Sequence, residues 1–164
     1  ASPSVDEWLK VRPRHRLEIA LKNRPGSPAQ DFTYTLASGR QGRLYDLKSD
    51  YTLLFFYNPG CTNCREVREQ ITASPVVGQL RREGAIDVLA LYPDQDLTEW
   101  RNYRDSIPRT WINAYDQGTL IESGRLYALK AIPTLYLLDA SKRVLLKDVP
   151  FGQIETLLAE RTRH

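Results

Sequence analysis

Two hydrophobic rhythms alternate along the chain, one repeating every second residue and one at helical spacing, and the order of the switches predicts the architecture. Tyr51–Tyr57 (YTLLFFY) is a continuous apolar and aromatic run, too short for a membrane span and rich in residues that fill a central strand. Asn58-Pro59-Gly60 ends it. From Thr62 to Ile71 no breaker occurs, and Val67 and Ile71 form an i, i+4 apolar pair, so a helix is predicted with Cys61 at its start. Upstream, Phe32–Leu36 alternates, Ser38-Gly39 turns and Gly42–Leu47 returns, which predicts a hairpin beside the core sheet. Downstream, Ser74-Pro75 serve as cap and first residue of a helix reaching Glu83, where Gly84 stops it. Ile86–Tyr92 is a second buried strand ended by Pro93. Asp96 with Glu99 opens a capped helix carrying Trp100 and Tyr103, with Pro108 beyond its end. Thr110–Tyr115 is a short strand closed by an Asp116-Gln117-Gly118 turn. Pro133–Asp139 and Arg143–Lys147 make a hairpin about Ala140-Ser141-Lys142, and Phe151–Arg161 is a closing amphipathic helix. Strands alternating with helices and then an antiparallel hairpin predict an α/β fold, a mixed central sheet flanked by helices with an N-terminal β-hairpin extension.

Composition narrows this picture. At 164 residues, 41% hydrophobic and 26% charged, the chain suits one globular domain with a full core. No stretch approaches a membrane span, and no signal peptide, internal repeat or low-complexity tract is found. Methionine is absent, so the chain is expected to be part of a longer or processed precursor. The net charge of +3 is unevenly placed: Ala1–Gln30 is basic, whereas acids and bases balance from Asp31 onward. Residues 1–25 are read as a basic N-terminal linker with a helical extension, and 26–164 as the domain, with Arg24-Pro25-Gly26-Ser27-Pro28 at the boundary. In the leader, Ser4 and Glu7 resemble a capping box for a short helix through Trp8 and Leu9 that Pro13 stops. Arg12, Arg14, His15 and Arg16 suit a solvated linker face better than an anionic membrane surface or nucleic acid, since Leu17, Ile19 and Leu21 look like packing. No nucleic-acid partner is expected. Trp8 lies outside the domain and is available to a partner or a further domain. Trp100, Trp111 and Tyr115 fall within predicted elements and read as core.

The cysteines carry the candidate chemistry. Cys61 and Cys64 are three apart on one helix face, close enough to form a disulfide without unwinding the turn. Cys61 lies at the helix mouth, where unpaired N–H groups and the positive end of the dipole favour a thiolate, and Arg65 and Arg68 add to that bias. Cys64, one turn in, is more shielded and suited to resolve a mixed disulfide that Cys61 has formed. A zinc site would need further ligands, yet the histidines are His15 and His164, near the two chain ends, so no metal is expected. A structural staple is disfavoured because so short a loop constrains the unfolded chain little.

The block FFYNPGCTNC, the later segment YALKAIPTLYLLD, and the hairpin with its terminal helix together resemble the thioredoxin fold. GSPAQDFTYTLASGRQGRLYDLKS, LYPDQDLTEW and SIPRTWINAYD are similar, more narrowly, to the TlpA/ResA-like extracytoplasmic thiol-disulfide oxidoreductases. The resemblance spans about Gly26 to Glu160. It implies a cis Ile132–Pro133 bond facing Cys61 and Cys64, with the Ile132 backbone pairing to an extended substrate strand and Gly60 leaving room for it. Asn58, Pro59, Thr62, Asn63 and Arg65 are the supporting positions around the pair. The chain departs from the pattern in three places: Gly60 replaces a tryptophan, Phe55 a buried aspartate, and Val67 a glutamate, with Glu66 one position short. The group that deprotonates Cys64 is left open among Asn58, Tyr57, Lys130 and a water.

The expected function is reduction of protein disulfides, with Cys61 attacking and Cys64 resolving. No cofactor is expected beyond the redox-active Cys61–Cys64 disulfide. Expected partners are protein disulfide substrates and an upstream thiol electron donor, in a periplasmic or other extracytoplasmic compartment, with a membrane tether through sequence ahead of Ala1. Thr62-Asn63 matches neither reducing thioredoxins (Gly-Pro) nor strong oxidants (Pro-His), and moderate thiolate stabilisation favours the reducing side. One alternative is a redox-inert or sensing module of a larger surface protein, motivated by Phe55 and Val67. Another is a thiol peroxidase: Pro59-Gly60-Cys61-Thr62 resembles one peroxiredoxin branch, but Asn58 and Leu54 stand where that branch needs threonine and proline.

Overall fold

The structure is a computed structural model that describes residues 22–123, 126, 127, 129 and 131–162. The readings of a leader helix, of the leader arginines and Trp8, and of His15, His164 and Lys130 lie outside those residues. The strands are β1 (Thr33–Leu36), β2 (Gln41–Arg43), β3 (Tyr51–Phe56), β4 (Ile86–Tyr92), β5 (Ile112–Tyr115), β6 (Thr134–Leu138) and β7 (Val144–Lys147). The helices are α1 (Thr62–Ala73), α2 (Pro75–Arg82), α3 (Leu97–Tyr103), α4 (Leu120–Ser123) and α5 (Phe151–Thr162).

All seven strands join one mixed sheet in the order β2-β1-β5-β4-β3-β6-β7. Central β3 runs parallel to β4, with Leu53 opposite Val88, and antiparallel to β6, with Leu53 opposite Leu137. The N-terminal hairpin is part of this sheet, because β1 pairs antiparallel with β5. Every second residue of β3 faces one side. Leu53, Phe55 and Tyr57 pack with Ile71 of α1, Val77 and Leu80 of α2, Trp100 of α3, and Ile154 and Leu158 of α5. Leu54 and Phe56 pack on the opposite side with Phe32, Leu44, Ile121, Tyr127 and Leu129. A strand covered on both faces is apolar at nearly every position, which explains the YTLLFFY run, in which Thr52 is a buried polar exception. Each large side chain so buried contributes about 1.5–3 kcal/mol, so the end of β3 is a firm platform for whatever follows it.

Caps fall where the sequence places them. Ser74 Oγ accepts from Val77 N–H at 3.4 Å with Pro75 at the first helical position, and Asp96 Oδ1 accepts from Glu99 N–H at 3.1 Å. Trp100, Trp111 and Tyr115 are buried, as read. Three details differ from expectation. The returning strand of the hairpin stops at Arg43, because Leu44–Asp46 winds into a 3-10 turn that drops Leu44 into the core. Thr110 and Trp111 stay out of β5, since Trp111 N–H closes a turn onto Pro108 O at 3.0 Å. After β5 the chain makes a 3-10 turn at Gln117–Thr119 and then the one-turn helix α4, where a simple turn was expected. Asp116 Oδ2 accepts from Ile121 N–H at 2.7 Å and so holds that helix in place. At the other end, Asn23 is buried: its Nδ2 donates to Leu126 O and its Oδ1 accepts from Gln30 N–H, both at 2.7 Å. Gly26 N–H donates to Val144 O at 2.8 Å, tying the chain ahead of Pro28 to β7.

Candidate active site

The candidate site is the handover from β3 to α1. Beyond Phe56 the chain keeps one more sheet bond, Tyr57 N–H to Leu91 O at 3.1 Å, before Asn58-Pro59 turns it out of the sheet. Gly60 then takes φ +77°, a left-handed conformation that side chains rarely adopt. A Cβ there would have nothing closer than Glu99 Oε1, at 4.0 Å, so backbone conformation rather than crowding requires the glycine. Cys61 N–H reaches back to Asn58 O at 3.4 Å and closes the turn.

Cys61 is the N-cap of α1, with φ −79° and ψ 118°. Its sulfur accepts the Cys64 N–H at 3.2 Å, doing the work that an oxygen does in ordinary caps. Cys61 O accepts from Arg65 N–H at 3.1 Å and starts the helical ladder. The helix therefore aims an otherwise unpaired N–H at the outer sulfur. Both cysteines are free thiols here, Cys61 half-exposed and Cys64 buried at 2% exposure. Burial, reinforced by the hydrogen bond to the Cys61 side chain, pushes the Cys64 thiol up to about 12; main-chain hydrogen bonds at Asn58 and Cys64 oppose this without reversing it. One sulfur is reachable from solvent, and the other is held back as a thiol beneath it.

The other expected site residues divide by location. Gly60, Thr62, Asn63 and Arg65 are exposed around Cys61, whereas Pro59 is buried under the turn. Arg68 serves elsewhere than expected: its guanidinium donates to Tyr103 Oη and lies over the Tyr103 ring, 5.6 Å from the centroid. Ile132–Pro133 is a cis peptide bond. Phe56 pairs with Thr134, which sets Pro133 at the same end of the sheet as Asn58–Cys64, and Ile132 packs with Cys61 against the core cluster containing Cys64. Of the groups left open as partners of Cys64, Tyr57 is committed elsewhere, donating its hydroxyl to Asn113 Oδ1 at 2.6 Å. Asn58 is half-buried, and its Oδ1 is buried without a hydrogen-bond partner.

Two neighbours were not singled out from the sequence. Asn113 on β5 accepts from both Tyr57 Oη–H and Trp100 Nε1–H, the latter at 3.2 Å, and so ties β5 to α3 and to the residue that follows β3. Glu99, read as the partner in a capping box, turns its carboxylate toward Gly60. Its sequence signal was the cap, and nothing local announces a place near a glycine so far away in the chain. Among the described residues, no group of three or more His, Cys, Asp or Glu side chains is arranged to hold a metal.

A model of thioredoxin-like proteins matches residues 49–144, a stretch that contains β3, the cysteine pair, the cis proline and β6. The chain belongs to the thioredoxin-like family. Among solved structures, this thioredoxin-like chain is similar to a thioredoxin-like protein from Bacteroides caccae, with 51% identity over 94% of this chain and a TM-score of 0.89. It covers 56% of that protein, so it spans little more than half of its relative's length. It is also similar to the C-terminal domain of an uncharacterized protein from Bacteroides fragilis, with 47% identity, 84% of this chain and 98% of that one covered, and a TM-score of 0.81. The thioredoxin domain of a thiol-disulfide oxidoreductase from Bacteroides vulgatus shares the fold at 17% identity, covering 84% of this chain and 97% of that one, with a TM-score of 0.73. No curated protein matches.

Proposed function

We propose that this thioredoxin-like chain is a thiol-disulfide oxidoreductase that reduces protein disulfides. The observation that carries the reading is the asymmetry of the pair: a solvent-reachable Cys61 sulfur receiving a helix N–H, over a Cys64 thiol that burial keeps protonated. Cys61 attacks one sulfur of the substrate disulfide and the other substrate sulfur leaves as a thiolate. Cys64 then attacks Cys61 Sγ, forming the Cys61–Cys64 disulfide and releasing the second substrate thiol. Two electrons pass from the pair to the substrate, and an upstream dithiol donor returns them. The extended substrate segment lies along Ile132 and Pro133, and Gly60, free of a side chain, admits it. The name of the Bacteroides vulgatus fold relative agrees with this chemistry. A location outside the cytoplasm is part of the same proposal: the TlpA/ResA-like resemblance supports it, and a reversible pair has disulfide partners there.

The test is turnover of a protein disulfide with a dithiol as donor, run beside peroxide consumption. The reading expects disulfide reduction that Cys61→Ser abolishes and no peroxide turnover. A chain that turns over neither a disulfide nor peroxide contradicts the reading and favours the redox-inert or sensing alternative. Equilibration with glutathione gives the direction: a pair as oxidising as disulfide-donating oxidases contradicts the reductase assignment.

A further inference from the structure

A cleft of about 530 Å³ lies between the end of β1, the 3-10 turn over Arg104–Ser106 and the start of β5, and none of its lining residues belongs to the Asn58–Cys64 turn or to Ile132–Pro133. Small-molecule sites usually measure about 300–1,000 Å³. Ile107, Pro108, Trp111 and Ile112 give the cleft an apolar wall. Its polar groups are mostly donors. Asn113 Oδ1 accepts from Tyr57 Oη–H at 2.6 Å and from Trp100 Nε1–H at 3.2 Å, and because an indole nitrogen can only donate, the carboxamide cannot turn over. Its Nδ2 is thereby fixed on the other side of the amide, with no acceptor among the described residues. Trp111 is 8% exposed, and its Nε1–H has no acceptor there either. The buried side-chain polar atoms without a partner are Thr52 Oγ1, Asn58 Oδ1 and Tyr136 Oη among the described residues, so these two N–H groups are open to the cleft that their residues line. On the rim, the Arg104 and Arg109 side chains are exposed and make no ion pair among the described residues, and the carboxylate lining the cleft with them is that of Asp105.

We propose that this cleft is a binding site for a small organic acid, whose carboxylate is received by Asn113 Nδ2 and Trp111 Nε1 beneath the two guanidiniums and whose apolar body lies against Ile107 and Pro108. Donors that lack acceptors call for a ligand that brings acceptors alone. A carboxylate does so, and its hydrogen bonds are of the strong, charge-assisted kind. With two cations and one anion on the rim, the local charge attracts it. The Asn113 amide is oriented before the ligand arrives, so binding spends no free energy on ordering that group. The binding needs neither cysteine and stands or falls apart from the oxidoreductase reading.

The experiment titrates phenylacetate into the nitrogen-labelled chain and follows the side-chain N–H signals of Asn113 and Trp111 by NMR, with neutral phenylacetamide run in parallel. Saturable shifts of both signals are expected with phenylacetate, and phenylacetamide is expected to bind about tenfold more weakly, the factor that a hydrogen bond to a charged group carries. Arg104→Gln combined with Arg109→Gln is expected to weaken phenylacetate about tenfold and to leave phenylacetamide unchanged. Both arginines are exposed, so this variant keeps the fold. Asn113→Asp keeps an oxygen for Tyr57 and Trp100 and sets a negative charge where the N–H donor stood. It is expected to lose phenylacetate binding while still melting cooperatively; if it fails to fold, the double arginine variant decides alone. The absence of saturable shifts at Asn113 and Trp111, equal affinity for the acid and the amide, or unchanged phenylacetate affinity in the double arginine variant overturns the proposal. A folded Asn113→Asp chain that binds phenylacetate as tightly as the wild type does so too.

Discussion

Gly60 is the residue on which the handover from strand to helix turns. Its φ of +77° costs an ordinary side chain about 1 kcal/mol, and the space around a Cβ there is open. Gly60→Ala is therefore expected to lower stability by about 1 kcal/mol in denaturant titrations while the protein still folds. A loss several times larger would mean the site has no room for a side chain. At this scale the cysteines were fully legible, because a Cys-x-x-Cys after a strand stop fixes its own geometry. Glu99 and Asn113 were not, because what matters about them is a neighbour distant in the chain: Asn113 meets Tyr57 from 56 residues away. Arg68 was legible as a charge near the pair but not as the partner of Tyr103, which another helix supplies.

Among elements, long periodic segments were read to within a residue or two, as with α5, expected over Phe151–Arg161 and found over Phe151–Thr162. The one-turn helix α4 escaped, since four residues hold no period and its stability comes from Asp116. That cap gives a pH-dependent prediction. Burial raises the Asp116 carboxyl from its ordinary 3.8 to about 6, against the pull of hydrogen bonds from Ile121 and Leu120. An acid with a raised folded-state pKa binds its proton more tightly when folded. Its contribution to stability is full below about 3.8 and is lost as the pH rises through about 6. Asp116→Asn keeps an acceptor for Ile121 N–H and removes the buried charge. It is expected to raise stability by roughly 1–3 kcal/mol at pH 8 and to give no such gain at pH 3. Thermal melts at the two pH values check this, and a gain independent of pH would contradict the burial argument.

For the whole molecule, the chain order of strands and helices was enough to foresee a mixed sheet, because parallel strands need helical crossovers and antiparallel ones do not. That β1 would join β5 was not legible, since edge pairing is chosen by three-dimensional fit rather than by local pattern. The architecture places the cysteines at the C-terminal end of β3, at the start of α1 and at the same end of the sheet as Pro133, with Cys64 in the buried cluster that holds Leu53 and Phe55. A pair toward the reducing end is one whose disulfide the fold favours, so the oxidised chain is expected to melt at a higher temperature than the reduced chain. A strong oxidant would show the opposite order. The central claim is the division of labour between the two sulfurs, and trapping tests it most directly. Cys64→Ser and Cys61→Ser are each incubated with a disulfide-bonded protein, and the covalent adducts are weighed by intact mass spectrometry. The account predicts that Cys64→Ser accumulates a mixed disulfide through Cys61 and that Cys61→Ser accumulates almost none. Equal trapping by both variants, or trapping through Cys64 alone, would contradict it.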